Sequence, residues 1–114
     1  MIPAKRVLIV DDDKNILKFF TLILQKKGYI VDNAETGREA LEKIRRQLYH
    51  TTLIDIMLPD VNGLDLLKEI SPQTKKIIMT GSNSDENRKK ALTEGANAFL
   101  IKPIRIEKIL AIMN

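Results

Sequence analysis

Short apolar runs alternate with amphipathic segments along the 114-residue chain. Each run has the length of a buried strand, and the segments between the runs have the 3.6-residue periodicity of helices. Such short links between strand and helix predict an α/β fold, a parallel sheet with helices on both faces. The five predicted strands are residues 6–10, 29–33, 51–55, 76–80 and 98–101.

Five helices are predicted, one after each strand. The first ends at Gly28, the second begins with the capping-box pair Thr36 and Glu39, and the fourth begins at Ser84. The fifth reads as about ten residues and stops at the chain end, so we expect a single domain, 1–114, whose last helix is truncated. The apolar residues predicted to face the core are Ile16, Phe19, Phe20, Ile23 and Leu24 in the first helix, Ala40, Leu41, Ile44 and Leu48 in the second, Leu64, Leu67 and Ile70 in the third, and Ile106, Ile109, Leu110 and Met113 in the fifth.

Composition is that of an ordinary globular domain, 44% hydrophobic and 30% charged. The absence of cysteine excludes disulfides and thiolate metal sites. No apolar run approaches the ~20 residues of a membrane-spanning helix, so we expect a soluble cytoplasmic protein without membrane contact. The net charge of +4 is dispersed over separate segments and aromatic residues are few, so direct binding of nucleic acid is not expected.

Polar side chains stand at the ends of four of the five predicted strands. Three aspartates, residues 11–13, follow the first strand, and Asp55 ends the third. Thr80 ends the fourth strand, and Lys102 follows the fifth. Because the carboxyl ends of parallel strands meet at one edge, these side chains should converge on the ligand crevice of the sheet. The only histidine, His50, lies at the opposite end of the third strand and is not expected to have a chemical role.

The aspartates at this edge predict a site for phosphoryl transfer. Crowded carboxylates raise one another's pKa values, and a hard divalent cation such as Mg²⁺ relieves that repulsion while keeping exchangeable waters. The Asp55 carboxylate can attack phosphorus to give an aspartyl phosphate. Lys102 and Thr80 would then stabilise and orient the transferred phosphoryl group.

The chain resembles the response-regulator receiver domains of two-component signalling. The resemblance covers essentially the whole sequence and rests on "VLIVDDD", "LIDIMLPDVNG", "IIMTG" and "EGANAFLIKP", together with the Gly28–Tyr29 junction. It implies a flavodoxin-like fold with strand order 2-1-3-4-5. It also implies a signalling switch that catalyses only its own phosphorylation and dephosphorylation, and is not otherwise an enzyme.

The resemblance implies a metal site beside the phosphoacceptor. Asp55 resembles the residue that is phosphorylated, and Asp11 and Asp12 resemble the acidic pair that holds Mg²⁺ or Mn²⁺ with it. The main-chain carbonyl of Met57 would be a further ligand. These assignments follow from position in the matched motifs.

Further roles are implied around the phosphoacceptor. Thr80 resembles the switch hydroxyl, and Lys102 resembles the lysine that pairs with the phosphoryl group. Phe99 stands where the family often has an aromatic residue that swings inward on activation. The bond from Lys102 to Pro103 is expected to be cis, and Gly63 is expected to have a structural role.

The implied partners lie outside this chain. A sensor histidine kinase or a phosphotransfer protein would supply the phosphoryl group. The surface of the fourth helix, fifth strand and fifth helix would then change and control an output domain or effector protein. A homodimer formed on phosphorylation is a further expectation.

Two alternatives remain open from the sequence. "VLIVDDDK" also fits the opening of haloacid-dehalogenase-type phosphatases, with Asp11 as nucleophile and Asp13 as acid/base, although that leaves Asp55 without a role. Only Glu107 follows Lys102 as a candidate for the acidic pair of such enzymes. The other alternative is a receiver-like interaction module that is never phosphorylated, whose usual signature would be the loss of Asp55 or Lys102.

Overall fold

The computed structural model describes residues 4–114, which form five strands and five helical segments in alternation. Within these residues, none of the helices combines the length and the apolar composition that crossing a bilayer requires. The strands are β1 (Arg6–Val10), β2 (Ile30–Ala34), β3 (Thr51–Asp55), β4 (Lys75–Thr80) and β5 (Ala98–Ile101). The helices are α1 (Lys14–Lys26), α2 (Gly37–Arg46), the 3₁₀ helix η1 (Gly63–Glu69), α3 (Asp85–Thr93) and α4 (Ile106–Met113).

All five strands are parallel and lie in the order β2-β1-β3-β4-β5. The predicted fold and strand order are therefore confirmed. Three strands have the predicted bounds, whereas β2 begins and ends one residue later and β4 begins one residue earlier. The strand order reverses between β1 and β3, so the crevice at their carboxyl ends is the switch point at which α/β sheets bind ligands.

Side chains alternate along each strand and build two separate cores, one on each face of the sheet. The core that we call the α3-side core lies under α2, η1 and α3, and the α1-side core lies under α1 and α4. Helices therefore cover both faces, as predicted. Strand residues of the α3-side core are Leu8, Val10, Ala34, Ile54, Ile78 and Phe99, and those of the α1-side core are Val7, Ile9, Leu53, Ile77 and Met79.

Helix α1 begins and ends where local signals place it. The Asp13 carboxylate accepts hydrogen bonds from the amides of Asn15 and Ile16, and Gly28 follows the helix with φ of +95°. Its buried face was predicted incorrectly in part: Phe19 is 55% exposed, and Leu17 takes its place in the core. The helix is therefore rotated so that Leu17, Phe20 and Leu24 face the sheet.

The predicted third helix is present as a short 3₁₀ helix, and Leu64, Leu67 and Ile70 are buried as predicted. The Asn62 side chain caps the Leu64 amide at its start, and the Ile70 amide donates to the Leu67 carbonyl at its end. One further prediction needs correction. Helix α2 ends at Arg46, so Leu48 lies beyond it and is exposed. The predicted fourth and fifth helices correspond to α3 and α4, and α4 has eight residues.

Candidate functional site

Two aspartates and a lysine meet at the carboxyl edge of the sheet. Asp11 follows β1 and Asp55 ends the neighbouring β3, so the two side chains lie next to each other. The Lys102 Nζ atom, just beyond β5, donates a 2.8 Å hydrogen bond to Oδ2 of each aspartate. Asp11 and Asp55 are buried, whereas the Lys102 side chain keeps 22% of its surface exposed. The two aspartates are therefore covered by the fold, and the lysine is in partial contact with solvent.

The third carboxylate of this cluster belongs to Asp12, which is exposed. One carboxylate oxygen from each of Asp11, Asp12 and Asp55 lies within 4.8 Å of the others. Lys102 is the only cation hydrogen-bonded to this group among residues 4–114, so three carboxylates face one ammonium. An oxygen-rich site with excess negative charge, open to solvent, fits a divalent cation such as Mg²⁺.

Burial and charge act on the pKa values in this cluster. Burial, reinforced by the neighbouring Asp55 charge, raises the pKa of Asp11 against the opposing effect of its hydrogen bond from Lys102. Burial alone would lower the pKa of Lys102, but hydrogen bonds and attraction from Asp11 and Asp55 outweigh it, so the pKa is raised. Lys102 therefore stays protonated and able to bind an anion at neutral pH.

The loop after β3 fixes Asp55 from the other side. The Met57 amide donates a 3.0 Å hydrogen bond to Oδ1 of Asp55, while the Met57 side chain is 73% exposed. Gly63 packs against the Asp55 main chain so closely that an added Cβ would lie 2.1 Å from the Asp55 carbonyl oxygen. A side chain at position 63 would therefore displace the Asp55 backbone.

Thr80 and Phe99 lie on the adjacent strands β4 and β5, Thr80 at the carboxyl end of its strand and Phe99 two residues before the end of its own. Thr80 ends β4, is buried, and accepts a hydrogen bond from the Ser82 amide at its Oγ1 atom. Phe99 is a buried residue of β5 and belongs to the α3-side core. The Arg88 guanidinium carbon of α3 lies 4.8 Å from the centre of the Phe99 ring, a cation–π contact. The peptide bond between Lys102 and Pro103 is cis.

Asp13 and His50 have local structural roles. The Asp13 carboxylate caps α1 and is absent from the acidic cluster, so it is not placed as the acid/base of a phosphatase. His50 lies at the amino end of β3, where its Nδ1 is 2.7 Å from the Thr51 Oγ1 atom. Burial and the nearby charges of Lys5 and Lys75 lower the pKa of His50.

Sequence reasoning missed Asp60, which links the loop after β3 to α2. Its two carboxylate oxygens accept hydrogen bonds from the amides of Gly37 at 2.8 Å and Arg38 at 3.0 Å. These bonds lower the pKa of Asp60. Val61 packs closely against Gly37. A Cβ atom added to Gly37 would lie only 2.2 Å from the Cγ2 atom of Val61. No local pattern could have found a helix cap that lies 23 residues away in the chain.

A match to a known protein family identifies the kind of domain that carries this cluster of carboxylates and lysine. A family model described as the response regulator receiver domain matches residues 7–114. The chain belongs to this family. Receiver domains are the phosphorylation-activated signalling switches of two-component systems, and this chain is one of them. The phosphatase alternative has no comparable support.

Similar proteins extend this assignment. Response regulator ArlR of Staphylococcus saprophyticus is 39% identical over 108 residues, which are 93% of this chain and 49% of that protein. The chain thus spans about half the length of the curated relatives that it matches. A CheY-like receiver domain protein from Methanospirillum hungatei has a TM-score of 0.91 and 41% identity, with 97% of this chain and 94% of that chain covered.

A second solved structure is of a phosphorylated relative. It is a response regulator from Burkholderia pseudomallei with a phosphorylated aspartic acid, a calcium ion and citrate. Its TM-score is 0.91 at 27% identity, and the match covers 96% of this chain and 66% of that one. The receiver fold of this chain is therefore shared with a protein in which an aspartate carries the phosphoryl group.

Proposed function

We propose that Asp55 is the residue of this receiver domain that accepts the phosphoryl group. The observation that carries the proposal is the hydrogen bond from Lys102 Nζ to Asp55 Oδ2 beside Asp11 and Asp12. A nucleophilic carboxylate, a cation for the incoming group and further carboxylates for a divalent cation thus lie together. Within residues 4–114 only Asp11 shares this combination of neighbours, and Asp11 is fully buried, whereas Asp55 keeps 6% of its surface exposed.

The transfer uses these side chains directly. A phosphohistidine on a sensor histidine kinase or a phosphotransfer protein, or a small phosphodonor, presents its phosphorus to a carboxylate oxygen of Asp55. As the new oxygen–phosphorus bond forms, the bond from phosphorus to the donor breaks, and its electron pair stays on the imidazole nitrogen of a phosphohistidine or on the acetate oxygen of acetyl phosphate. The Lys102 ammonium stabilises the phosphoryl oxygens during transfer.

Asp11, Asp12 and Asp55, with the main-chain carbonyl of Met57, are the proposed ligands for Mg²⁺ or Mn²⁺. A bound cation of this type neutralises charge on the phosphoryl oxygens. The Met57 amide already holds Asp55 Oδ1, so the other carboxylate oxygen faces Lys102. The chain itself therefore orients one oxygen for attack.

Phosphorylation is proposed to change the surface built by α3, β5 and α4. The aspartyl phosphate adds roughly two negative charges next to Lys102, which at present hydrogen-bonds both Asp11 and Asp55. The Thr80 hydroxyl moves to a phosphoryl oxygen, and Phe99 fills the space that it leaves. A second protomer or an effector that prefers the new surface shifts the population towards it.

The kinase is proposed to dock on α1. An apolar pocket of about 460 Å³ lies between α1 and the segment after β5, lined partly by Phe19, Phe20, Pro103 and Ile104. Lys102 lines the same pocket, so a partner seated there lies next to Asp55. The exposure of Phe19, wrongly predicted as a core residue, is explained by such a role.

The test is the intact mass of the protein after incubation with acetyl phosphate. We expect one added phosphoryl group that requires Mg²⁺ and is absent from the Asp55→Asn variant. Asp65→Asn, which removes an exposed carboxylate of η1 outside the cluster, is the matched control and should be labelled like the wild type.

Two results would contradict the proposal. Label that persists in Asp55→Asn but is lost in Asp11→Asn would identify Asp11 as the nucleophile. Absence of label in the wild type, together with absence of Mg²⁺ binding, would mean that the chain acts only through its surface.

A cytoplasmic location, where a kinase and divalent cations are available, is part of the same proposal.

A further inference from the structure

The loop after β3, residues 56–62, lies against the proposed phosphoacceptor, and we call it the β3–η1 loop. Its base is held by an isolated antiparallel bridge between Met57 and Asn62. The Met57 amide also donates its 3.0 Å hydrogen bond to Oδ1 of Asp55. The geometry of the base therefore sets where the Asp55 carboxylate and the Met57 carbonyl lie.

The tip of this loop, residues 58–61, is joined to α2 by Asp60. The two carboxylate oxygens of Asp60 accept hydrogen bonds from the amides of Gly37, at 2.8 Å, and Arg38, at 3.0 Å. Within residues 4–114 these are the only hydrogen bonds that join the tip to another part of the chain. Hydrogen bonds to an ionised carboxylate are stronger than those between neutral groups. Asp60 is therefore the polar link between the tip and α2.

Close backbone packing keeps the loop in place at both ends. Because Gly37 has no Cβ atom, α2 can approach Val61 at the tip. Because Gly63 has none either, the end of the loop can lie against the Asp55 main chain. Only two residues separate Met57 at the base from the side chain that links the tip to α2. A displacement of the tip should therefore also displace the base.

Helix α2 has a cap of its own. The Oγ1 atom of Thr36 accepts a 3.1 Å hydrogen bond from the Glu39 amide in the first turn. Asp60 contacts different amides, those of the first two helical residues. Thr36 and Asp60 thus both supply acceptors to the same helix end, but only Asp60 belongs to the β3–η1 loop. Comparing the two separates capping of α2 from positioning of the loop.

We propose that Asp60 is a positioning residue for the divalent cation at Asp55, an inference that rests on the proposed function for the choice of Asp55 and Met57 as ligands. Asp60 is not a member of the acidic cluster and does not contact the ion. It holds the loop so that the Met57 carbonyl and the Asp55 carboxylate are in place before the ion binds. Without it the tip gains conformations that the ion must suppress, and the affinity for the ion falls.

This coupling works in both directions. If Asp60 favours the loop geometry that binds the ion, the ion favours the contact between Asp60 and α2 by the same factor. Mg²⁺ should therefore slow hydrogen exchange at the amides of Gly37 and Arg38, which Asp60 holds. It should leave exchange unchanged at the Glu39 amide, which Thr36 holds. In Asp60→Ala the protection of Gly37 and Arg38 by Mg²⁺ should be lost.

The experiment measures Mg²⁺ binding to the full chain without a phosphodonor. Backbone amide NMR signals are followed during titration with Mg²⁺, and amide exchange is measured before and after. Asp60→Ala removes both acceptors, Asp60→Asn keeps one oxygen, and Thr36→Ala is the matched control at the same helix end. Urea unfolding gives the stability of each variant, and the intact-mass assay with acetyl phosphate is run in parallel.

We expect Asp60→Ala to raise the dissociation constant for Mg²⁺ by about three- to tenfold, less than the loss of a direct partner of a metal ligand. Asp60→Asn should raise it by about twofold, because one acceptor remains. Thr36→Ala should lower the stability but change the dissociation constant less than about 1.5-fold. At saturating Mg²⁺ the bound ion orders the loop, so Asp60→Ala should be labelled within about twofold of the wild-type rate.

Three outcomes would overturn the inference. The first is an unchanged dissociation constant in Asp60→Ala. The second is an equal rise in Asp60→Ala and Thr36→Ala, which would assign the effect to capping of α2 alone. The third is a rise that disappears in about 0.5 M salt, because the effect of a lost charge is screened there whereas that of a lost contact is not.

The parallel mass assay separates this inference from the proposed function. Label on Asp55 with equal Mg²⁺ affinities of wild type and Asp60→Ala refutes only the positioning role. Weaker Mg²⁺ binding in Asp60→Ala without any label on the wild type refutes only the phosphoacceptor. Absence of Mg²⁺ binding by the wild type would overturn the positioning role together with the proposed metal site.

Discussion

Two lysines mark the two ends of the sheet, and their surroundings are opposite. At the carboxyl end, Lys102 contacts the carboxylates of Asp11 and Asp55. At the amino end, the buried Lys76 donates to the carbonyl oxygens of Ser71 and Thr74, at 3.0 and 2.9 Å. Burial lowers the pKa of Lys76, whereas for Lys102 the two carboxylates outweigh burial and the pKa is raised.

The difference separates an acidic edge, where negative charge is in excess, from an edge where the polar groups are paired. Around Lys102 the carboxylates outnumber the cation, and this imbalance can be relieved by a metal ion or a phosphoryl group. At the amino end, the hydroxyls of Tyr49 and Thr74 are hydrogen-bonded within the fold, and none of the described buried side-chain polar atoms lacks a partner. Chemistry is therefore expected at one end and stability at the other.

The largest effect that tests this comparison is expected for Lys102→Met. Removing the ammonium leaves Asp11 and Asp55 without a counter-charge, which should lower the free energy of unfolding by about 2 kcal/mol in the absence of divalent cations. Mg²⁺ should restore more stability to the variant than to the wild type. Urea unfolding with and without Mg²⁺ measures both effects, and an equal loss under both conditions would contradict the comparison.

Lys76→Met is the matched change at the amino end, with a smaller expected effect. Two carbonyl oxygens lose a donor, but the cost of burying a charge disappears, so a net loss of about 1 kcal/mol is expected. The loss should be the same with and without Mg²⁺, and acetyl phosphate should label Asp55 at the wild-type rate. A Mg²⁺-dependent loss would show that the two ends are not independent.

The variant Tyr49→Phe tests the amino end of the sheet through the pH dependence of the free energy of unfolding. The buried Tyr49 hydroxyl donates a 2.7 Å hydrogen bond to Asp32, and burial together with this carboxylate raises the pKa of the phenol. Because this pKa is raised in the folded protein, the stability that the Tyr49 hydroxyl contributes is fully present below about pH 10, the pKa of the phenol in the unfolded chain. This contribution is lost as the pH rises above that value. Denaturant unfolding at neutral pH should show a loss of about 1 kcal/mol for the variant.

The pH dependence sharpens that test. The difference in unfolding free energy between wild type and Tyr49→Phe should stay constant below about pH 10 and shrink above it. A difference that keeps its neutral value at higher pH would show that the pKa of the Tyr49 phenol is not raised in the folded protein. Comparing the two proteins at each pH removes the contributions of other groups that titrate in this range, including Lys76.

The sheet and the cluster of side chains at its acidic edge were predictable because both depend on short-range patterns. The run 51–55 is buried on both faces of the parallel sheet, and it ends in Asp55 as predicted. Once the strands were placed, parallel topology brought Asp11, Asp55 and Lys102 to one edge. The bounds of β1, β3 and β5 needed no information from elsewhere in the chain.

Helix orientation was less predictable. In α1 the spacing i, i+3, i+4 is satisfied both by a stripe containing Phe19 and by one containing Leu17, because apolar residues cover more than one face. Only the rotation of the helix against the sheet decides which residue is buried, and it exposes Phe19. Contacts between separate segments also depend on how the elements pack together, so the sequence did not predict them. Examples are Asp60 at the start of α2 and Arg88 over Phe99.

The two cores have a consequence for how such a switch can diverge. Helix α1, the proposed docking site of the kinase, packs on one face of the sheet, whereas Phe99 packs on the other. Substitutions that adapt α1 to a new kinase therefore leave the packing of Phe99 untouched, and substitutions around Phe99 leave α1 in place. Input and output specificity can accordingly evolve, or be engineered, one at a time.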